Sequence, residues 1–131
     1  MVKSILVIDD DPDDLFFFVE AMADLSPHTI VHQATSGEWA IDFILSCRDQ
    51  QYPEIIFLDI NMPVDNGWLC LREIKKITKN IHVPIVMFST SNFENENVKP
   101  SDIGAAAFLT KPDTMEGLKR KLSEVINLLA R

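Results

Sequence analysis

The sequence predicts an α/β fold, in which a parallel sheet of five strands carries helices on both faces. Two features predict this fold. Short, continuous apolar runs at residues 5–8, 55–58 and 85–88 are typical of strands that are buried on both faces. Helical patterns separate these runs, and repeated strand–helix units build a parallel sheet. The 131 residues have the length of one domain, so we expect residues 1–131 to form a single unit.

The first strand is expected at residues 4–8 and the first helix from Pro12 onwards. Proline suits the first position of a helix, and Asp11 before it suits the N-cap. Asp13 and Asp14 follow, where acidic side chains interact favourably with the positive end of the helix. The predicted inner face of this helix carries apolar residues at the spacing i, i+3, i+4, i+7: Leu15, Phe18, Val19 and Met22.

The remaining strand–helix units follow from shorter signals. Residues 92–102 are the least regular, because Pro100 would break a helix or delay its start, so we expect a short or distorted helix there. The middle elements are a strand near residues 30–34, a helix capped by Ser36, a central strand at 55–58 and a helix after the turn at 65–67. The last elements are a strand at 85–88, a strand at 106–110 and a final helix carrying Leu118, Leu122, Val125, Ile126 and Leu129.

The composition narrows the classes of partner. A formal net charge of −8 argues against direct nucleic-acid binding and against docking on an anionic membrane, and it favours a divalent cation or a basic partner surface. Cys47 and Cys70 have no metal-binding spacing, which indicates reduced thiols in a reducing cytosol. The N-terminus lacks the pattern of a signal peptide, and no apolar run has the length of a membrane span. We therefore expect a cytoplasmic protein.

Polar side chains follow four of the predicted strands. Asp9 and Asp10 follow the first, Asp59 the third, Ser89 the fourth and Lys111 the fifth. Because the carboxyl ends of parallel strands meet at one edge of a sheet, we expect these side chains to lie together. Clustered carboxylates repel one another, and a hard divalent cation such as Mg²⁺ removes that cost.

Such a site suits phosphoryl transfer, which needs an in-line nucleophile and neutralised phosphoryl oxygens. Asp59 stands at the end of the central strand, so it is the expected nucleophile and would form an acyl phosphate. The cation, Lys111 and Ser89 would each contact one oxygen of the transferred group.

The chain resembles the receiver domains of two-component response regulators along its whole length. The resemblance rests on ILVIDDD at 5–11, IIFLDINMP at 55–63, PIVMFSTS at 84–91, GAAAFLTKP at 104–112 and the turn at Gly67. It implies the flavodoxin-like fold with strand order 2-1-3-4-5. It also implies that the bond between Lys111 and Pro112 is cis.

The resemblance assigns roles to individual residues. It implies Asp59 as the phosphoacceptor and Lys111 as the phosphate-binding lysine, with Ser89 and Phe108 as the switch pair. The implied Mg²⁺ ligands are Asp10 and Asp59 directly, Asp9 through water and the backbone carbonyl of Asn61.

The implied function is a phosphorylation switch that catalyses only its own phosphorylation and dephosphorylation. A histidine kinase or histidine phosphotransfer protein would donate the phosphoryl group, and an unknown downstream protein would read the changed surface. Thr90 stands where the family commonly has Ala or Gly, which predicts slow dephosphorylation. Phe16 and Phe17 are expected to form part of the kinase-docking surface. Since no output domain follows Arg131, a stand-alone regulator is expected, and a phosphorylation-dependent homodimer stays open.

Two other functions share parts of this pattern. A Mg²⁺-dependent phosphatase of the haloacid-dehalogenase type also uses a strand-end Asp, but it needs an acid two residues later, where this chain has Asn61. A pseudo-receiver would bind partners without being phosphorylated, and the complete set of acids, Ser89 and Lys111 argues against it.

Overall fold

A computed structural model describes residues 2–48, 51–62, 66–90 and 104–129. Within these ranges five strands and four helices alternate through most of the chain. In chain order they are β1 (Ser4–Ile8), α1 (Pro12–Leu25), β2 (Ile30–Ala34), α2 (Gly37–Ser46), β3 (Ile55–Asp59), α3 (Gly67–Ile77), β4 (Ile85–Ser89), β5 (Ala107–Thr110) and α4 (Met115–Leu129). The helix expected at 92–102 lies outside the described residues.

The five strands form one parallel sheet in the order β2-β1-β3-β4-β5, which confirms the predicted fold and strand order. In the register of β3 with β4, Asp59 pairs with Phe88, and in that of β4 with β5, Ser89 pairs with Thr110. Ile8 at the end of β1 pairs with Leu58 of β3. These registers bring the carboxyl ends of four strands to one edge of the sheet.

Each face of the sheet carries its own apolar core. Residues of β3 alternate between the two cores, so Phe57 packs on the side of α1 and α4 while Leu58 packs on the side of α2 and α3. All five residues of β3 are buried, as the continuous apolar run predicted. A strand covered on both faces gives the site a rigid support.

The starts of α1 and α2 follow their predicted caps. The side chain of Asp11 accepts a hydrogen bond from the backbone N–H of Asp13 at 2.9 Å, and Ser36 Oγ accepts one from that of Trp39 at 3.1 Å. Each bond satisfies a backbone donor that the helix itself leaves unpaired. The first turn of α1 is therefore held in place directly beside Asp9 and Asp10.

The predicted inner face of α1 is confirmed at Leu15, Phe18 and Met22 but is wrong at Val19. Val19 is only half-buried, whereas Ala21 is fully buried. At ~100° per residue the buried positions centre near Phe18, which leaves Val19 at the margin of the face. Because α1 packs against α4 as well as the sheet, its buried face is rotated toward Ala21.

Among the described residues, no helix combines the length and apolar character that a membrane span requires.

Candidate functional site

Three carboxylates meet at the edge of the sheet where the strands end. Asp9 and Asp10 follow β1 and Asp59 ends β3, and one carboxylate oxygen from each lies within 4.8 Å of the others. Asp9 and Asp59 are 5% and 4% exposed, whereas Asp10 is more accessible. The structure thus brings together the acids that the sequence placed at these two strand ends.

Local hydrogen bonds orient the two buried carboxylates. Asp9 Oδ1 accepts the backbone N–H of Asp11 at 2.9 Å, and Asp59 Oδ1 accepts that of Asn61 at 2.9 Å. An acid that bonds the backbone two residues later closes a short local turn. In each residue this occupies one carboxylate oxygen and leaves Oδ2 to face Lys111.

Lys111 reaches into the cluster from the segment after β5. Its Nζ lies 2.8 Å from Asp9 Oδ2 and 3.3 Å from Asp59 Oδ2, as the sequence predicted for a lysine at this edge. It also lies 2.7 Å from Asp14 Oδ2, a contact that the sequence reasoning missed. The sequence predicts only a favourable interaction of Asp14 with the positive end of α1. Its position in the first turn of a helix that starts beside the strand ends is the signal that it can face the site.

Burial and neighbouring charges have opposite effects on the pKa values of Asp9 and Lys111. Burial raises the pKa of Asp9 to about 6, although its hydrogen bond to Lys111 partly offsets that effect. Burial acts to lower the pKa of Lys111, but the carboxylates of Asp14 and Asp9 outweigh it and raise the value above that of a free lysine. Lys111 is therefore a permanent cation among the acids.

The hydroxyl of Ser89 lies beside the loop that follows β3. Ser89 is fully buried, and its Oγ donates to Asn61 Oδ1 at 2.9 Å. The backbone N–H of Thr90 donates to the same oxygen at 3.0 Å, and Thr90 Oγ1 lies 3.4 Å from it. One side-chain oxygen thus ties the end of β4 to the loop after Asp59.

Phe108, the predicted switch aromatic, is half-buried on β5 next to Met87 of β4. Its ring meets that of Trp68 on α3 edge to face, with centroids 6.5 Å apart and planes at 81°. The two rings are separated by 40 positions, so no local signal pairs them.

The start of α3 approaches the end of β3 so closely that only glycine fits. A Cβ built on Gly67 would lie 2.3 Å from Ile60 Cα and 2.8 Å from the carbonyl oxygen of Asp59. Asn66 before it adopts φ 47° and caps α3 by accepting the N–H of Trp68. The turn expected at 65–67 includes Asp65, which lies outside the described residues, so of this prediction only the cap at Asn66 and the helix start at Gly67 are observed.

The peptide bond between Lys111 and Pro112 is trans, so the cis bond implied by the family resemblance is wrong for this structure. Trans is the intrinsically preferred form of a bond to proline by about 0.5–1 kcal/mol. The Lys111 side chain reaches the acids with the trans bond in place.

A cavity of about 250 Å³ lies between α1 and α4 beside this cluster. Phe17, Phe18 and Met115 form part of its apolar wall, while Asp14 and Lys111 border its polar end. Phe16 and Phe17 are 60% and 51% exposed, which agrees with their place off the inner face of α1.

The comparisons with known proteins identify the family. Residues 5–123 match the model of the response regulator receiver domain. This chain belongs to that receiver-domain family.

The receiver domain is 30% identical over 122 residues to the protein PilH of Pseudomonas aeruginosa, covering 93% of this chain and 96% of PilH. It is 34% identical over 122 residues to the nitrate/nitrite response regulator protein NarL of Escherichia coli, covering 92% of this chain but 53% of NarL. It therefore spans nearly all of one relative and about half of the other, so a stand-alone arrangement stays a prediction.

The solved Mn²⁺-bound form of response regulator Rcp1 superposes with a TM-score of 0.77 at 22% identity, covering 98% of this chain and 95% of that one. This likeness supports the flavodoxin-like fold. Membership in the family makes the chain a receiver domain of a response regulator in a two-component system, which implies interaction with a kinase or phosphotransfer protein.

The carboxylate cluster is typical of a receiver-domain cation site. Asp9, Asp10 and Asp59 offer only oxygen atoms, which are the ligands that Mg²⁺ prefers. The donor set of this chain therefore fits a hard divalent cation.

Proposed function

We propose that this receiver domain, formed by residues 1–131, accepts a phosphoryl group on Asp59 and thereby switches its partner-binding surface. The observation that carries the proposal is the position of Asp59. Its carboxylate is buried at the end of the central strand, in reach of Asp9 and Asp10 on one side and 3.3 Å from Lys111 Nζ on another.

The two buried carboxylates differ in their contact with Lys111. Asp59 has the longer contact, at 3.3 Å, against 2.8 Å for Asp9. The carboxylate with the looser ion pair is the one more easily turned toward an incoming phosphorus atom.

The proposed step is in-line displacement at phosphorus. A carboxylate oxygen of Asp59 forms the new P–O bond while the P–N bond to the donor histidine breaks. The electron pair of that bond stays on the imidazole nitrogen. Lys111 and Ser89 are the chain's own groups that would contact phosphoryl oxygens, the lysine as a charge and the serine as a hydroxyl donor.

We propose Asp10 and Asp59 as direct ligands of Mg²⁺, with Asp9 acting through water and Asn61 through its backbone carbonyl. The oxygen-only cluster supports this assignment, and so does the divalent cation in the related Rcp1. When bound, the cation supplies neutralisation of negative charge on the transferred group.

The switch proposed for this domain consists of Ser89 and Phe108. Ser89 would leave Asn61 and turn toward the phosphoryl group, and Phe108 would turn inward into the space that opens. A downstream protein, still unidentified, would read the changed surface, and a phosphorylation-dependent homodimer is one form that the readout can take.

The proposed phosphodonor is a histidine kinase or a histidine phosphotransfer protein that docks on α1. Phe16 and Phe17 are exposed large apolar side chains there, with ring centroids 6.1 Å apart. Changing both to Ser should slow transfer from the cognate donor and leave phosphorylation by small donors intact. We place this exchange in the cytoplasm, whose reducing conditions suit the free thiols of Cys47 and Cys70.

Intact-mass measurement after incubation with phosphoramidate and Mg²⁺ tests the proposal. We expect one phosphoryl adduct on the wild type, none on Asp59→Asn and none in the presence of EDTA. Asp42→Asn is the matched control because it makes the same chemical change at an exposed position of α2, and it should carry the adduct.

The variant Thr90→Ala tests whether the Thr90 side chain blocks access of phosphoramidate to Asp59. Absence of an adduct on both the wild type and this folded variant would contradict the proposal and favour a pseudo-receiver. Repeated hydrolysis of a phosphate ester would instead favour a phosphatase. Asn61 argues against that enzyme, because a carboxamide cannot act as the general acid such chemistry needs.

A further inference from the structure

Lys111 also contacts an acid outside the cluster of Asp9, Asp10 and Asp59. Its Nζ lies 2.7 Å from Asp14 Oδ2, which is the shortest of the three carboxylate contacts that it makes among the described residues. Asp14 lies on α1, 97 positions away from Lys111 in the chain. The lysine side chain is 17% exposed, so these contacts are made in a largely buried setting.

Two of these contacts are hydrogen bonds, because Lys111 Nζ donates to Asp14 Oδ2 at 2.7 Å and to Asp9 Oδ2 at 2.8 Å. The contact with Asp59 Oδ2, at 3.3 Å, is longer and is an ion pair. A phosphoryl group on Asp59 therefore competes with Asp14 and Asp9 for Lys111. Asp14 holds the lysine on the side of α1.

Asp14 also adds to the negative charge that faces an incoming donor. Asp9, Asp10, Asp14 and Asp59 carry a formal charge of about −4 when ionised, against about +1 from Lys111. Small phosphodonors are anions, so an additional carboxylate near the nucleophile opposes their approach.

We propose that Asp14 is a positioning residue that restrains Lys111 on the α1 side and thereby slows phosphorylation of Asp59. The proposal rests on the function proposed above. Its consequence is a receiver domain that small phosphodonors modify slowly.

The test compares phosphorylation rates of Asp14→Asn, Asp13→Asn and the wild type over a concentration series of phosphoramidate with saturating Mg²⁺. Asp13→Asn is the matched control because it removes the same charge from the neighbouring position of α1, where the side chain is exposed and no contact with Lys111 is found. We expect Asp14→Asn to raise the rate at saturating donor about 3- to 10-fold, the size of effect expected from one partly buried charge contact.

Further measurements distinguish restraint of Lys111 from charge repulsion and from loss of the fold. In 1 M KCl the electrostatic repulsion between the acids and the anionic donor is screened. An increase in the phosphorylation rate of Asp14→Asn that persists in this salt is therefore due to the release of Lys111. Asp14→Glu keeps the carboxylate and should return the rate toward that of the wild type. Thermal unfolding of each variant establishes that it is folded.

An Asp14→Asn rate equal to that of Asp13→Asn, or below that of the wild type, would overturn the proposal for Asp14 while the adduct on Asp59 still forms. Absence of an adduct on the wild type would instead overturn the proposed function, so the two failures are distinguishable.

Discussion

The hydroxyl of Ser89 donates a hydrogen bond to the side-chain oxygen of Asn61 at 2.9 Å, and the backbone N–H of Thr90 donates to the same oxygen at 3.0 Å. This arrangement fastens the end of β4 to the loop that follows Asp59. If Ser89 is to contact a phosphoryl group, its bond to Asn61 has to be exchanged for a new one. Under the proposed switch, Asn61 would therefore stabilise the unphosphorylated arrangement.

Asn61→Ala is expected to favour the switched arrangement. The substitution removes the acceptor of the Ser89 hydroxyl but keeps the backbone carbonyl that we propose for Mg²⁺. A net hydrogen bond is worth about 0.5–1.5 kcal/mol, so affinity for beryllofluoride, a phosphoryl mimic, should rise about 2- to 10-fold in the presence of Mg²⁺. Isothermal titration calorimetry would measure this affinity. Thr90→Val, which removes only the longer 3.4 Å contact, should change the affinity less, and equal or weaker binding by Asn61→Ala would contradict this role.

Trp68 should report the motion of Phe108. The two rings meet edge to face with centroids 6.5 Å apart, so an inward turn of Phe108 changes the surroundings of the indole. In a Trp39→Phe background, which leaves one tryptophan, we expect Trp68 fluorescence to change when Mg²⁺ and phosphoramidate are added. Asp59→Asn and Phe108→Leu should each abolish the change. A signal that persists in Phe108→Leu would show that it arises elsewhere.

Asp9 should make stability depend on pH in the absence of metal. Its pKa is raised from 3.8 to about 6 in the folded protein, so the folded state holds the proton more tightly than the unfolded state. The contribution of Asp9 to the free energy of unfolding is therefore fully present below about pH 4 and is lost as the pH rises through 6, by an amount of the order of 3 kcal/mol. Asp9→Asn lacks this loss, so its unfolding free energy relative to the wild type should increase from pH 4 to pH 6.

Urea unfolding in EDTA at pH 4, 5, 6 and 7 measures that difference. Asp42→Asn, at an exposed position of α2, serves as the control. A difference between Asp9→Asn and the wild type that stays constant across this pH range would refute the assignment to Asp9. Addition of Mg²⁺ at pH 7 should recover stability in the wild type, because a ligand that binds only the folded state stabilises it.

Gly67→Ala should destabilise the protein by about 2–4 kcal/mol, a size typical of a forced backbone shift. The new Cβ would lie 2.3 Å from Ile60 Cα and 2.8 Å from the carbonyl oxygen of Asp59, and backbone atoms at and just beyond the end of the central strand cannot move aside easily. Gly117→Ala is the matched control, because its Cβ would meet side-chain atoms of Thr114 and Pro112 at 3.0–3.1 Å. Chemical denaturation of both variants is the measurement. Equal losses of unfolding free energy in Gly67→Ala and Gly117→Ala would show that the close backbone contact at Gly67 does not require glycine.

The sequence by itself determined the features that depend on neighbouring residues. The strands, the caps at Asp11 and Ser36 and the delivery of Asp9, Asp59 and Lys111 to one edge follow from apolar runs, local hydrogen bonding and parallel pairing. These features follow from residues that are close together in the chain and from general rules of strand pairing, so they can be predicted from a single sequence.

The tertiary structure alone decided contacts between side chains that are distant in the chain. It placed Asp14 on Lys111, Asn61 on Ser89 and Trp68 on Phe108. It also turned α1 toward Ala21, because that helix packs against α4 as well as the sheet. The bond before Pro112, for which the family resemblance implied cis, is trans in the structure. The three side-chain contacts and the rotation of α1 depend on how separate elements pack together, which neither periodicity nor spacing within the sequence specifies.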